Sequence, residues 1–518
     1  MSSHTYNKPL LQLHYDLPNE ILLHIASFIP GNTTPRFEGI VECITPEDAE
    51  DEIDYELEQV RRDFCGVSHT LRSLALTSRR LRPIAQEILF HAPILYDLKL
   101  DYRTSSIVKL TRTLLERPDL AKHVRKLRIN VPSDYATPSI EGPPIASAVS
   151  KGSVELVDKL EISLHTKMYW KNELDNFYPR AYCGVILALI PKLERLHLAP
   201  SIKHDSGREL LPMLFGLEDF VHDIELAQIP GLRNLSHLKA VTEAPFELPR
   251  LQPLSNLKSL DLSIEPIYLE NFWIDSPGTY LPSIRHLRLD CRIRKIGLAH
   301  KFFDDLQIVV RMFENLEILH LYGEPPFYDH AMDLYNAGWQ SWYETQLCEK
   351  SYSALLANLA SVAPQIHSLE LPRGFWTLPN IMRPGSIGSM THVDPEDIHI
   401  GEVTDFRSFS TLKHLILPKT AIAHKNLWKT TLADPLFTLP PSLKCITIYG
   451  ADDELWPWVN LIIENRHLHF SILNKIELID GEPLYPKSAP EKLCEFKIDN
   501  EKLWNTLVAS GISITYSH

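Results

Sequence analysis

The residues that could do chemistry are numerous but poorly grouped. The 23 histidines mostly stand alone, as in LERLHL and LEILHL, where each occupies the outward slot of a strand. His467-Leu-His469 is the exception: on a strand it would put two imidazoles on one face, yet no carboxylate or cysteine nearby completes a metal set. The run ECITPEDAEDEIDYELE, Glu42 to Glu58, alternates acids as a calcium loop does, but has no glycine at the turn position such a loop needs. A run this acidic repels itself and is read as a solvated insertion. Asp452-Asp453-Glu454 reads as a loop and helix start. The chain has no HExxH, GxSxG, GxGxxG or Gly-rich phosphate loop. No catalytic residue, metal or cofactor is therefore expected.

Bulk composition narrows the class further. The chain has 518 residues, 44% of them hydrophobic and 23% charged, the proportions of a folded protein. A net charge of −14 argues against nucleic acid as the main partner, because phosphate binding needs a basic surface. No secretory signal opens the sequence, and no apolar stretch is long enough to span a bilayer. Seven scattered cysteines without a CxxC pair fit reduced thiols. The expectation is a cytoplasmic or nuclear protein without a membrane partner.

The elements that would position a function begin near the N-terminus. DLPNEILLHIASFIP reads as a short amphipathic helix, with Pro18 at its first position and Glu20 in its first turn. Ile21, Leu22, Ile25, Phe28 and Ile29 share a stripe, and Pro30-Gly31 stops it. After an acidic insertion at about residues 30–66, the helical pattern resumes in LRSLALTSRRLRPIAQEILF. Leu71, Leu74, Ala75 and Leu81 form its apolar side, and Pro83 can open a third helix carrying Ile84, Ile88 and Leu89. Three helices this short bury a small core and usually lean on a partner or neighbour.

These two segments together resemble an F-box of the form common in fungal F-box proteins. The match covers the LP-x-E-I-L opening of the first helix, then the leucine, Ser-Arg-Arg and leucine positions of the second. The resemblance implies docking on a Skp-family linker protein, which joins a cullin and its RING subunit. Carried over by position, Leu17, Pro18, Ile21, Leu22 and Ile25 would enter the linker's groove, followed by Leu76, Leu81 and Ile84. The long acidic insertion departs from the family pattern, which has a short turn there. The implied domains are an F-box over residues 1–95 and a second body over 96–518.

In that body one unit recurs: apolar, two polar, apolar, one polar, apolar. Copies are VRKLRI at Val124, VDKLEI at Val157, LERLHL at Leu193, LKSLDL at Leu257, IRHLRL at Ile284, LEILHL at Leu316, IHSLEL at Ile366, LKHLIL at Leu412, LKCITI at Leu443 and LNKIEL at Leu473. VHDIEL at Val221 and LSHLKA at Leu235 are poorer copies. The alternating half is strand-like, and intervening segments such as RTLLERPDLAKH, YCGVILALIPK, DDLQIVVRMFEN and SALLANLASVAPQ look helical. The body resembles the divergent leucine-rich-repeat arrays found behind fungal F-boxes, with spacing looser than the 20–29 residues of regular repeats. The expected fold is α/β: a small helical F-box, then an irregular leucine-rich-repeat solenoid of parallel strands alternating with helices. A doubly wound α/β fold is the competing reading.

Two long insertions interrupt the array after LEILHLYG and IHSLEL. The first carries Phe327, Tyr328, Trp339 and Trp342, the second Arg373, Phe375 and Trp376. Such residues on long loops are the composition of binding hot spots. They are equally the composition of loops packed onto their own body. The functional expectation is the substrate-recognition subunit of an SCF-type ubiquitin ligase, holding an unknown protein target. The alternatives are a repeat scaffold capped by F-box-like helices, and an α/β enzyme.

Overall fold

A period-two apolar pattern repeated at intervals can bury its side chains only if successive copies lie side by side. In the computed structural model they do. It describes residues 81–96, 105–130, 144–199, 225–242, 248–264, 280–290, 306–322, 352–372, 404–426, 429–451, 455–479 and 511–517, with single positions such as Leu76, Leu214 and Phe215. Fourteen strands are described. Twelve lie in one sheet whose neighbours follow chain order, β1-β2-β3-β4-β5-β6-β7-β8-β9-β12-β13-β14, and two form a hairpin. Helices alternate with the strands. A doubly wound sheet reverses its strand order at a switch point. This order never reverses, and it is compatible with a solenoid.

The chain divides into two compact units. The first holds residues 1–197, 214–216 and 228–235, so the expected boundary near residue 95 falls inside it, within a strand. Its strands are β1 (Ile94–Tyr96), β2 (Lys126–Asn130) and most of β3 (Arg195–Leu198). Its helices are α1 (Leu81–His91), α2 (Ser106–Glu116), α3 (Pro118–Ala121), α4 (Pro144–Lys159), α5 (Leu164–Asp175) and α6 (Pro179–Leu189). The expected helix in RTLLERPDLAKH is α2 with α3, and that in YCGVILALIPK is α6. Ser105 and Ser163 start α2 and α5 by accepting the N–H groups of Val108 and Thr166.

The core of this unit is aromatic. Trp170, Tyr182 and Phe215 are buried, and the Trp170 and Phe215 rings meet edge to face at 5.0 Å. Both polar tips are satisfied: Trp170 Nε1 donates to Ala181 O at 2.9 Å and Tyr182 OH to Leu174 O at 3.2 Å. Gly231 lies so close to α6 that a Cβ would sit 2.3 Å from Leu187 O, the carbonyl its own N–H bonds at 2.9 Å.

One expected strand is a helix. VDKLEI begins inside α4, because Val149, Ser153 and Val157, four residues apart, are all buried. The helical period claims these residues before the two-residue alternation can.

The second unit holds residues 198–213, 217–227 and 236–518. It contains β4 (His237–Thr242), β5 (Ser259–Ile264), β6 (His286–Asp290), β7 (Ile318–Tyr322), β8 (Ser368–Glu370), β9 (His414–Pro418), β10 (Ala423–Asn426), β11 (Lys429–Leu432), β12 (Cys445–Tyr449), β13 (Lys475–Ile479) and β14 (Ser513–Ser517). Pairing from β4 through β9, then β12 to β14, is parallel and in register with the repeated motif. Leu238, Leu260, Leu287, Leu319, Leu369, Leu415, Ile446, Ile476 and Ile514 form one continuous cross-strand row. The first eight of these are buried, as is the apolar residue leading each copy from Leu257 to Leu473, two positions before its strand.

Neighbouring copies are also tied by a short polar side chain just ahead of the leading residue. Asn315 Nδ2 donates to Pro282 O at 3.0 Å, Thr411 Oγ1 to Pro364 O at 2.8 Å and Ser442 Oγ to Leu412 O at 2.8 Å. The weak copy LSHLKA forms the six-residue β4. The expected helices in DDLQIVVRMFEN and SALLANLASVAPQ are found at 306–311 and in α7 (Tyr352–Asn358). β1, β14 and the antiparallel hairpin β10–β11 were not expected from the motif. Of VHDIEL only Glu225 and Leu226 lie within the described residues, and Leu226 opens a buried 3-10 turn, Leu226–Gln228, instead of ending a strand.

Candidate functional site

Parallel, in-register strands put every second side chain of each copy on the face opposite the apolar rows. In the second unit the slot between the last two apolar positions gives Lys239, Asp261, Arg288, His320, Glu370, Ile416, Thr447, Glu477 and Thr515, each cross-strand neighbour to the next. This row is electrostatically matched. Asp261 lies 3.4 Å from Lys239 Nζ and 3.7 Å from Arg288. Glu477 accepts from Lys475 Nζ at 3.0 Å and from Thr447 Oγ1 at 3.2 Å.

At the centre of the row His320 has Nδ1 3.5 Å from the Glu370 carboxylate and Nε2 3.4 Å from Ser368 Oγ. The order Ser–His–Glu is that of a nucleophile, its base and an orienting acid. Two features argue against that chemistry. Burial, then the positive charge of Arg288 and His286, pushes the imidazole down to about 4, too weakly basic to activate a hydroxyl near neutrality. Ser368 also stands on an interior strand, whose backbone N–H groups lie in the sheet plane and are not aimed at an oxyanion. The trio is best described as a polar cluster joining β7 to β8.

A second row lies one position after each leading apolar residue. It is continuous through the backbone: Arg285 N donates to Lys258 O at 2.9 Å, Glu317 N to Arg285 O at 2.8 Å, His367 N to Glu317 O at 2.7 Å, Lys413 N to His367 O at 2.8 Å and Lys444 N to Lys413 O at 2.8 Å. Most members are basic. The signal was available in the motif, since its second position reads Lys, Arg, His, Lys and Lys in LKSLDL, IRHLRL, IHSLEL, LKHLIL and LKCITI.

The residues singled out from sequence fall unevenly. Leu17, Pro18, Ile21, Leu22 and Ile25 lie outside the described residues, as do Phe327, Tyr328, Trp339, Trp342, Arg373, Phe375 and Trp376. Leu76 is helical and 80% exposed, Leu81 opens α1 half-buried, and Ile84 is packed inward at 5%. The two insertions do leave the sheet from the ends of adjacent parallel strands, β7 and β8.

His467 and His469 are not on a strand. They belong to a short helix, Arg466–His469, in which residues two apart diverge. Phe470 ends it buried, its N–H bonded to Arg466 O at 3.0 Å, while Leu468 is 81% exposed. Among the described residues no three His, Cys, Asp or Glu side chains come together to hold a metal ion, and no helix is long and apolar enough to cross a membrane. Comparison with known proteins adds no relative: no family model and no curated protein matches the chain.

Proposed function

We propose that this chain is the substrate-recognition subunit of an SCF-type ubiquitin ligase, working in the cytoplasm or nucleus. Its N-terminal helices would dock on a Skp-family linker and through it on a cullin–RING complex, while the repeat body holds a protein target. The reading is carried by one conjunction. Two F-box-like segments in the right order precede a parallel sheet of repeated LxxLxL strands, and Leu76 in the second segment is an apolar side chain left 80% exposed. The mechanism would be proximity: a held target's lysines meet the ubiquitin-loaded enzyme at high effective concentration, with no bond chemistry by this chain.

The test is capture of the linker by the full chain and by Leu17→Asp combined with Ile21→Asp. The double variant should lose the linker while keeping the wild-type melting transition. Equal capture by a folded double variant refutes the docking surface.

The burial of Ile84 favours a second reading, in which the helices cap the repeat array and bind no linker. Under that reading the folded wild-type chain captures no linker at all, whereas the ligase reading requires capture.

A further inference from the structure

Part of the basic row has no acid partner among the described residues. Arg285 is paired with Glu317 at 2.8 Å, and Lys475 with Glu477 at 3.0 Å. Between them, at the entrances to β8, β9 and β12, stand His367, Lys413, His414 and Lys444. Lys413, His414 and Lys444 are exposed, and among the described residues no carboxylate pairs with either lysine. Their backbones are bonded in sequence, Lys413 and His414 N to His367 O, and Lys444 N to Lys413 O. Adjacent strands lie about 4.8 Å apart, so the three entrances span roughly 10 Å, the reach of three residues of extended peptide. His414 feels this concentration of charge: burial first, then Lys444 and Lys413, lowers its imidazole from the ordinary value. Among the described residues, Glu370 and Glu477 on the same outward face are held by His320, Lys475 and Thr447.

We propose that Lys413, His414 and Lys444, with His367 beside them, form a docking site for an acidic peptide segment of a partner protein. Like charges packed at strand spacing repel one another, and a bound anion relieves that repulsion. A peptide fits better than a nucleic acid. The cluster is short, acids flank it on the same face, and the whole chain carries −14, which opposes a long polyanion. The site rests on the proposed function only in taking this peptide to be part of the target.

The experiment measures fluorescence anisotropy of labelled short peptides with the full chain: oligo-glutamate, a phosphoserine peptide of equal charge, oligo-lysine, and a single-stranded oligonucleotide as competitor. Oligo-glutamate and the phosphopeptide should bind, oligo-lysine should not, and added salt should weaken binding. Comparing the two acidic probes tells whether carboxylate or phosphate is preferred. The K413Q/K444Q pair, two exposed positions, should weaken binding about tenfold, from roughly three- to fivefold per exposed charge. Wild-type affinity in that folded variant overturns the site. Tighter binding of the oligonucleotide than of either acidic peptide overturns the choice of partner. Linker capture by the wild-type chain separates the two readings: a chain that captures the linker but binds neither acidic peptide refutes this site, and one that binds them but captures no linker refutes the ligase.

Discussion

Leu76 and Ile84 are eight positions apart in one F-box-like segment, and their surroundings make opposite demands on the same substitution. Fully burying a leucine side chain is worth about 1.5–3 kcal/mol. Leu76 is 80% exposed, so nearly all of that remains to be gained on binding, and Leu76→Ala should cost about 1.2–2.4 kcal/mol of linker affinity, roughly an 8- to 60-fold rise in Kd. Its effect on folding should stay within about 0.5 kcal/mol, as for other surface positions. Ile84 has only 5% of its surface left, so Ile84→Ala should instead remove about 2–5 kcal/mol of stability by opening a cavity. The assay pairs calorimetric titration of purified linker into each variant with urea unfolding. If Leu76→Ala binds the linker like the wild type, the exposed leucine is not a docking residue and the ligase reading loses its structural support. If it unfolds as readily as Ile84→Ala, the Leu76 side chain is packed in the fold and not exposed.

Two further outcomes follow from the packing. His320 is held neutral, with its folded value lowered to about 4 against 6.5 unfolded, so the unfolded chain takes up the proton first as pH falls. Stability should therefore drop between about pH 6.5 and 4, by at most about 3 kcal/mol since the Glu370 carboxylate opposes the shift, and His320→Asn should flatten that part of the curve measured by urea unfolding. Gly231→Ala should lower stability by about 1–3 kcal/mol, because its Cβ would meet the Leu187 carbonyl at 2.3 Å and backbone cannot yield as a side-chain tip can; an unchanged melting transition would contradict that packing.

The strands were largely legible because their signal is local. Period-two alternation behind a leading apolar residue marks β2, β3, β5 to β9, β12 and β13, and the same residues turn out to be cross-strand partners. The misses have local causes as well. VDKLEI satisfies the strand pattern, but a stronger four-residue spacing upstream extends α4 into it. His467-Leu-His469 alternates over too few residues to fix a strand, and a helical turn takes it. β1 and β14 lack the leading apolar residue at the usual place and show no motif.

What the sequence determined by itself was which side chains of each copy are apolar and which are polar, and hence the α/β class and the two faces of every strand. It could not determine which copies are neighbours. That was decided by the tertiary structure, because hydrogen bonds between strands join residues tens of positions apart. Only strict chain order brings Lys413 beside His367 and Lys444, and only pairing shows that Glu317 neutralises Arg285 of the neighbouring copy. A charge's environment is set by its cross-strand neighbours, so a basic residue that looks ordinary in one motif becomes part of a site when the motifs are stacked.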